Sequence, residues 1–266
     1  MMPSAPSTVS TPTSGPQPAP APTPAPAPTP SPSPQTPTSD ACAVVSGFAG
    51  TPQGIINGSA CSPASSPVVM INLFDSRGRD DGSCTGTVIA SNAVLTAAHC
   101  LAGVGGVTID LAGQEMRAAS FQAIPSYRER DANSPDVGVI IMSEAIPRAP
   151  MPLLLSRDAQ AGDVGIIAGY GEDERGAYGT LKAGPITISE VNARFLVAQY
   201  SGVGSNTCYG DSGGPLFLPT SGGYALAGVT SGGDDNCSRG MSDFARINNG
   251  EISSFILGLV PDAARR

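Results

Sequence analysis

Three short segments of the chain hold residue types whose spacing could support covalent chemistry. Leu95-Thr96-Ala97-Ala98-His99-Cys100 carries His99, the only histidine among 266 residues. An imidazole is well placed to move a proton near neutral pH, although a lone histidine is more often a structural polar group. A single histidine also excludes a multi-histidine metal centre. Asn206-Thr207-Cys208-Tyr209-Gly210-Asp211-Ser212-Gly213-Gly214-Pro215 is more demanding. Its Gly-Asp-Ser-Gly-Gly run can be a plain turn, since each residue type favours turns. It can also present an attacking serine from a tight bend whose main-chain N–H groups converge on a developing oxyanion. Glycines on both sides would let chain and substrate approach that closely. The third segment, Ser134-Pro135-Asp136-Val137-Gly138-Val139-Ile140-Ile141, sets Asp136 immediately before an apolar run; alone, this is commonplace.

Such groups need a rigid scaffold, and the sequence from about Ala41 onward supplies one. Charged residues are only 14 % of the chain, and 33 glycines punctuate it. Runs rich in Val, Ile and Thr lie between turn signals, among them Val68–Phe74, Gly86–Ala90 and Leu226–Thr230. That pattern predicts many strands with tight connections, an all-β barrel or sandwich. A helix is predicted at the C-terminal end. Asn248 and Glu251 there resemble a capping box, and Ile252, Phe255, Ile256 and Leu259 share a helical face.

Before Asp40 the composition changes. More than half of the 26 prolines fall there, in a Pro, Ala, Ser and Thr run whose only large apolar residue beyond the starting Mets is Val9. Too little surface can be buried to offset the entropy of ordering, so residues 1–40 are expected to form a disordered, polyproline-II-like linker. A Pro-rich ligand for an SH3-type partner is the competing reading. The formal net charge is −8 with scattered basic residues, which offers no stripe for nucleic acid. No apolar run reaches the roughly 18 residues that span a membrane. Met1-Met2-Pro3-Ser4-Ala5-Pro6 has neither the basic nor the apolar region of a signal peptide, so an export leader is expected to lie outside this sequence.

Taken together, Thr96-Ala97-Ala98-His99-Cys100, Asp136 and Gly210-Asp211-Ser212-Gly213-Gly214-Pro215 resemble the trypsin/chymotrypsin serine protease family, in its chain order His, Asp, Ser. The resemblance runs from about Ile55 to the C-terminus, in the manner of a secreted bacterial member with a Pro-rich N-terminal segment. It implies two six-stranded antiparallel β-barrels with a C-terminal helix. It divides the chain into a linker over 1–40, a propeptide over 41–54 and a protease domain over 55–266. It implies that Ser212 attacks the scissile carbonyl, that His99 takes its proton and that Asp136 orients the imidazole. The N–H groups of Gly210 and Ser212 would form the oxyanion hole. No cofactor and no metal are implied. The expected partners are a peptide or protein substrate and an activating protease, with the enzyme a monomer in a secreted, periplasmic or cell-surface location.

Six cysteines suit an oxidised compartment. The resemblance pairs Cys84 with Cys100 and Cys208 with Cys237; Cys42 and Cys61 remain, either joined or free. Ile55-Ile56-Asn57-Gly58 resembles the start of an activated family member, whose freed amino group would pair with Asp211. The competing reading is a strand with an Asn-Gly turn. A Cys42–Cys61 bridge would keep the cut propeptide attached. Gly54 is not basic, so a trypsin-like activator is not indicated.

In the specificity pocket, Asn206 stands where the family's aspartate would select Lys or Arg. Ser231 and Gly233 are the expected walls, with Gly232 between them where relatives carry Trp. Asp243 either faces into the pocket, replacing the absent aspartate, or away from it. Two other functions compete with an active protease. One is a catalytically dead binding protein on the same fold, opposed by the complete triad. The other is a surface-tethered module, supported only by the Pro-rich segment.

Overall fold

Val68-Val69-Met70-Ile71-Asn72-Leu73-Phe74 folds as a single strand. Val69, Ile71 and Leu73 are buried in it, while Met70, Asn72 and Phe74 are only half-buried. This period of two is what a sheet with one covered face requires. The computed structural model that contains this strand describes residues 41–46, 51–52, 55–234 and 237–266; the linker expected over residues 1–40 lies outside them.

The described residues begin with helix α1 (Ala41–Ser46) and two short strands, β1 (Thr51–Pro52) and β2 (Ser59–Ala60). The first lobe follows as β3 (Val68–Phe74), β4 (Asp80–Ala90), β5 (Ala93–Thr96), β6 (Gly106–Asp110), β7 (Glu115–Ala123) and β8 (Gly138–Met142). These six close a barrel in the order β3-β4-β5-β8-β7-β6. The second lobe contains β9 (Val164–Gly169), β10 (Lys182–Thr187), β11 (Glu190–Val191), β12 (Phe195–Tyr200), β13 (Pro215–Thr220), β14 (Gly223–Gly233) and β15 (Gly240–Arg246). Helix α2 (Gly250–Leu259) ends the regular structure.

The second lobe elaborates the plain six-stranded barrel that the resemblance implied. Its six longer strands run β10-β9-β13-β14-β15-β12, extended at one end by β2 and β1 and at the other by β11. β10 also comes into contact with β12, so the sheet curls on itself. The extension has a covalent cause. Cys42 of α1 is bridged to Cys61, just after β2, and α1 packs on β10, β9 and β2. Residues 41–46 are therefore docked, with Ala41, Cys42 and Val45 buried.

At the C-terminal end the cap differs from the expected box by one residue. Asn249, not Asn248, precedes the helix, and its Oδ1 accepts the N–H groups of Glu251 at 3.0 Å and Ile252 at 3.2 Å. Glu251 turns outward to Arg194 instead of back to the cap, at 3.3 Å. Asn248 is engaged elsewhere, donating to Asp158 Oδ1 at 2.7 Å. Ile252 and Ile256 are buried, Phe255 is half-buried, and Leu259 lies exposed past the end of the covered stripe. Among the described residues, no helix is long and apolar enough to cross a membrane.

Candidate active site

His99 is delivered by the turn that leaves β5. Thr96, the last residue of that strand, donates from Oγ1 to Thr85 O at 2.9 Å, and Leu101 N closes the turn on Ala98 O at 3.0 Å. Cys100 is bridged to Cys84 on β4. β5 pairs with β8 so that Thr96 lies opposite Gly138, and the residues just beyond that pair meet. His99 Nδ1 stands 2.7 Å from Asp136 Oδ2, and the His99 backbone N–H donates to Asp136 Oδ1 at 2.9 Å. An ionised carboxylate can only accept, so Nδ1 donates in that contact, and in the neutral ring Nε2 is then the nitrogen with the lone pair.

A third donor reaches the buried Asp136 from the other lobe. Ser231 Oγ donates to Asp136 Oδ2 at 2.7 Å. Ser231 occupies a break in the β14–β15 ladder, where the register shifts between Thr230 and Gly232. A bulge re-aims its extra side chain, here out of the expected pocket wall and onto the carboxylate. The Ser231 side chain is thus a partner of Asp136, while its neighbours Thr230, Gly232 and Gly233 line the cavity beside Ser212. Ser231 lines a cavity of about 350 Å³ together with His99, Asp136, Tyr127 and Phe195.

Ser212 sits in the turn between Cys208 and β13, half-buried. Asp211 N bonds to Cys208 O at 3.1 Å, Gly214 N to Asp211 O at 2.8 Å, and Gly213 N to Thr230 O at 2.8 Å. Gly210 and Gly213 hold φ of +90° and +81°, a region open to glycine and costly for other residues. Among the described residues, neither Gly210 N nor Ser212 N meets an acceptor, which leaves two N–H groups open at the head of the turn. The turn is pinned to the first barrel through Thr85, which carries no motif and was not singled out in the sequence. Its N–H donates to Ser212 O at 2.8 Å and its Oγ1 to Gly210 O at 2.8 Å, while Oγ1 also accepts Tyr170 N at 3.1 Å. Ser212 O also lies 3.8 Å from Cys100 Sγ, so the serine turn abuts the residue next to His99.

Asp211 is fully buried beneath that turn. Its Oδ1 accepts Gly171 N at 2.8 Å and its Oδ2 accepts Cys208 N at 2.9 Å. Burial pushes its carboxyl from 3.8 up to about 6, against the N–H groups of Cys208 and Gly171 and the Lys182 ammonium, which pull it down. Ile55 lies in the same lobe with its side chain buried, and Asn206 N donates to Ile56 O at 3.3 Å.

Beside Ser212 opens a cavity of about 160 Å³, lined by Thr207, the Cys208–Cys237 bridge, Thr230, Gly232 and Gly233, with Asp234 on its exposed rim. Asn206 is buried behind Thr207 in a closed relay. Ser242 Oγ donates to Asn206 Oδ1 at 2.7 Å, and with that proton spent Thr207 must be the donor across its 2.6 Å contact with Ser242. Asn206 Nδ2 donates to Cys237 O at 2.9 Å. Ser242 therefore takes the inward position on β15, and Asp243, the next residue, falls on the opposite face. Asp243 does not line the cavity. Burial, with Asp234 and Glu190 nearby, raises its carboxyl above the ordinary range.

The described residues contain one three-membered cluster of potential metal ligands, Cys84, His99 and Cys100. Both sulfurs are tied up in one disulfide and cannot bind as thiolates.

The comparisons with known proteins bear on the family and the fold. The sequence model of the family described as Trypsin matches residues 55–250. A chymotrypsin of Phaedon cochleariae is 28 % identical over 225 residues, covering 73 % of this chain and 79 % of its own length. Kallikrein-11 of Homo sapiens is 30 % identical over 227 residues, covering 73 % and 76 % respectively. Among solved structures, neuropsin, a serine protease expressed in the limbic system of mouse brain, matches with a TM-score of 0.63 at 25 % identity, over 77 % of this chain and 100 % of that one. The chain belongs to the trypsin family and is a serine endopeptidase.

Proposed function

We propose that Ser212, His99 and Asp136 are the catalytic triad, with the N–H groups of Gly210 and Ser212 as the oxyanion hole. The observation that carries this reading is the His99 Nδ1–Asp136 Oδ2 contact of 2.7 Å, which in the neutral ring leaves Nε2 free to act as a base. Ser212 Oγ attacks the scissile carbonyl as His99 Nε2 takes its proton. The carbonyl oxygen, now negative, meets the two open N–H groups, each worth about 2.7–4 kcal/mol in such a site. His99 returns the proton to the leaving amine, and water then hydrolyses the acyl-enzyme by the same exchange. Asp136 holds the tautomer and offsets the imidazolium charge, and Ser231 holds Asp136.

The pocket favours an uncharged residue before the cut. Its base is the neutral Thr207–Ser242–Asn206 relay, and about 160 Å³ is close to the size of a cavity that takes benzene. Activation by cleavage between Gly54 and Ile55 is supported by the backbone. Ile55 has φ of +38°, a conformation that a β-branched residue holds at a cost of about 1–3 kcal/mol. Cutting that peptide bond removes the constraint and frees an amino group in the lobe that holds Asp211. Three disulfides suit a secreted enzyme, with Cys42–Cys61 retaining the segment ahead of the cut.

A fluorophosphonate probe tests the nucleophile directly. Labelling of the cut chain that vanishes in Ser212→Ala is the expected result, and labelling that persists in that variant refutes the assignment. A positional peptide library then reads the pocket, with Phe, Tyr, Leu or Met expected ahead of Lys or Arg.

A further inference from the structure

Lys182 is the only lysine in the chain, and it is buried, 3 % exposed. A lysine is almost never fully buried unless it is paired. One partner is Asp173, whose Oδ2 lies 3.1 Å from Nζ, and Nζ also donates to Ala177 O at 3.2 Å. The sheet brings a second carboxylate toward it. Lys182 opens β10 directly opposite Gly169, the last residue of β9. Side chains opposite one another share a face of the sheet, with Cβ atoms about 4.5–5.5 Å apart. At Gly169 the side-chain space belongs to Asp211, since a Cβ placed there would collide with Asp211 Oδ1. The Asp211 carboxylate thus lies against the face of the β9–β10 pair from which the Lys182 side chain rises, outside ion-pair distance of Nζ but near enough for the ammonium to pull on its charge.

A second route leads from Lys182 to the same carboxylate. Asp173 organises the loop that follows Gly171, its Oδ1 accepting Arg175 N and Ala177 N, each at 2.8 Å. Those N–H groups, Ala177 first, together with the Lys182 ammonium hold the Asp173 carboxyl down to about 2 against its partial burial. The loop so fixed supplies Gly171 N, one of the two donors on Asp211. In the uncut chain Ile55 N is a peptide nitrogen and offers Asp211 no positive charge.

We propose that Lys182 is a built-in counter-ion that keeps Asp211, and with it the Gly210–Ser212 turn, in place before cleavage. The uncut chain is then partly active, and cleavage before Ile55 raises activity instead of creating it. Lys182 touches no reacting atom and is a positioning residue. The inference rests on the triad and activation readings above.

The test compares intact chain, verified by mass to hold an unbroken Gly54–Ile55 bond, with chain cut there through an enterokinase site installed over residues 50–54. Both forms are reacted with a fluorophosphonate as wild type, Lys182→Met and Lys182→Arg. The intact wild type is expected to label. Lys182→Met should slow labelling of the intact chain about tenfold or more, in line with a disordered oxyanion donor. It should slow the cut chain far less, because a new ammonium is then available. Lys182→Arg should restore the intact chain, and on a peptide substrate the loss in Lys182→Met should fall on kcat with KM unchanged. Equal labelling of intact wild type and intact Lys182→Met overturns the proposal. So does a wild type that is inert when intact and reactive when cut. A wild type inert in both forms overturns the endopeptidase reading beneath it. Where Lys182→Met does not fold, Lys182→Gln, which can still donate to Ala177 O, carries the same comparison.

Discussion

The two lobes contribute to one cleft by different physical means. The first barrel fixes His99 and Asp136 with local hydrogen bonds, a disulfide between neighbouring segments and a regular β5–β8 ladder. The second lobe carries Ser212 on a turn with two left-handed glycines above a fully buried carboxylate, and the same lobe holds a buried lysine and a strained isoleucine. The half that holds His99 and Asp136 is thus built to be finished on folding. The half that holds Ser212 stores charge and strain, which is where a switch can act. Thr85 and Ser231 join the halves, one reaching from the first lobe to the serine turn and the other from the second to Asp136.

If both lobes serve one reaction, breaking either should cost nearly everything. Ser212→Ala and His99→Ala are each expected to lower kcat by roughly 10⁶, and the double variant by no more than either alone. Losses that multiply in the double variant would mean that the lobes act independently. Next in size is Asp136→Asn, with a loss on the order of 10⁴. Ser231→Ala, which removes one donor to that charge from across the seam, should cost roughly ten- to a hundredfold in kcat with little change in KM. Steady-state kinetics on one peptide substrate orders all four, and a Ser231→Ala variant as active as wild type would cut that bridge from the account.

How much of this was legible beforehand follows the same division. His99, Asp136 and the Ser212 turn announce themselves because chemistry restricts their residue types at fixed places along the chain. The lobe that holds each could be foreseen from apolar runs such as Val68–Phe74, whose period survives in the structure. Thr85 could not, because a threonine in a strand is ordinary until the strand brings it under another lobe. The bond from Ser231 to Asp136 could not be foreseen either, because a bulge leaves no trace in side-chain type. The cap fell on Asn249 and not Asn248 because two adjacent asparagines offer the same chemistry, and only the backbone decides between them. Lys182 remained hidden for a related reason: burial of a charge is decided by what lies across the sheet.

The stored charge in the second lobe makes a stability prediction of intermediate size. Below pH 3.8 the Asp211 carboxyl is protonated in folded and unfolded chains alike. Between 3.8 and about 6 the unfolded chain ionises while the folded one keeps its proton, so stability falls as pH rises through that window. Above it the buried charge costs on the order of 3 kcal/mol. Asp211→Asn should flatten the stability profile between about pH 4 and 6 in urea titrations. A slope unchanged by the substitution would show that Asp211 does not carry it.

The smallest expected effect concerns Asp243, and it separates two neighbouring positions on β15. Ser242 donates to Asn206 at the pocket base, so alternation sends Asp243 to the far face. Asp243→Asn should therefore leave the ratio of uncharged to basic preference at P1 unchanged. It should slightly raise stability at neutral pH, because the ionised form is burdened there by burial and by Asp234 and Glu190. That gain should fade as pH falls and the carboxyl takes up its proton, the reverse of what a paired surface carboxylate would give. Ser242→Asp makes the opposite move, placing a carboxylate against Asn206 where it can meet a basic side chain. A peptide library read on both variants decides the matter. Basic preference gained in Ser242→Asp and untouched in Asp243→Asn fixes selectivity on the inward residue, whereas basic cleavage lost in Asp243→Asn would return Asp243 to the pocket.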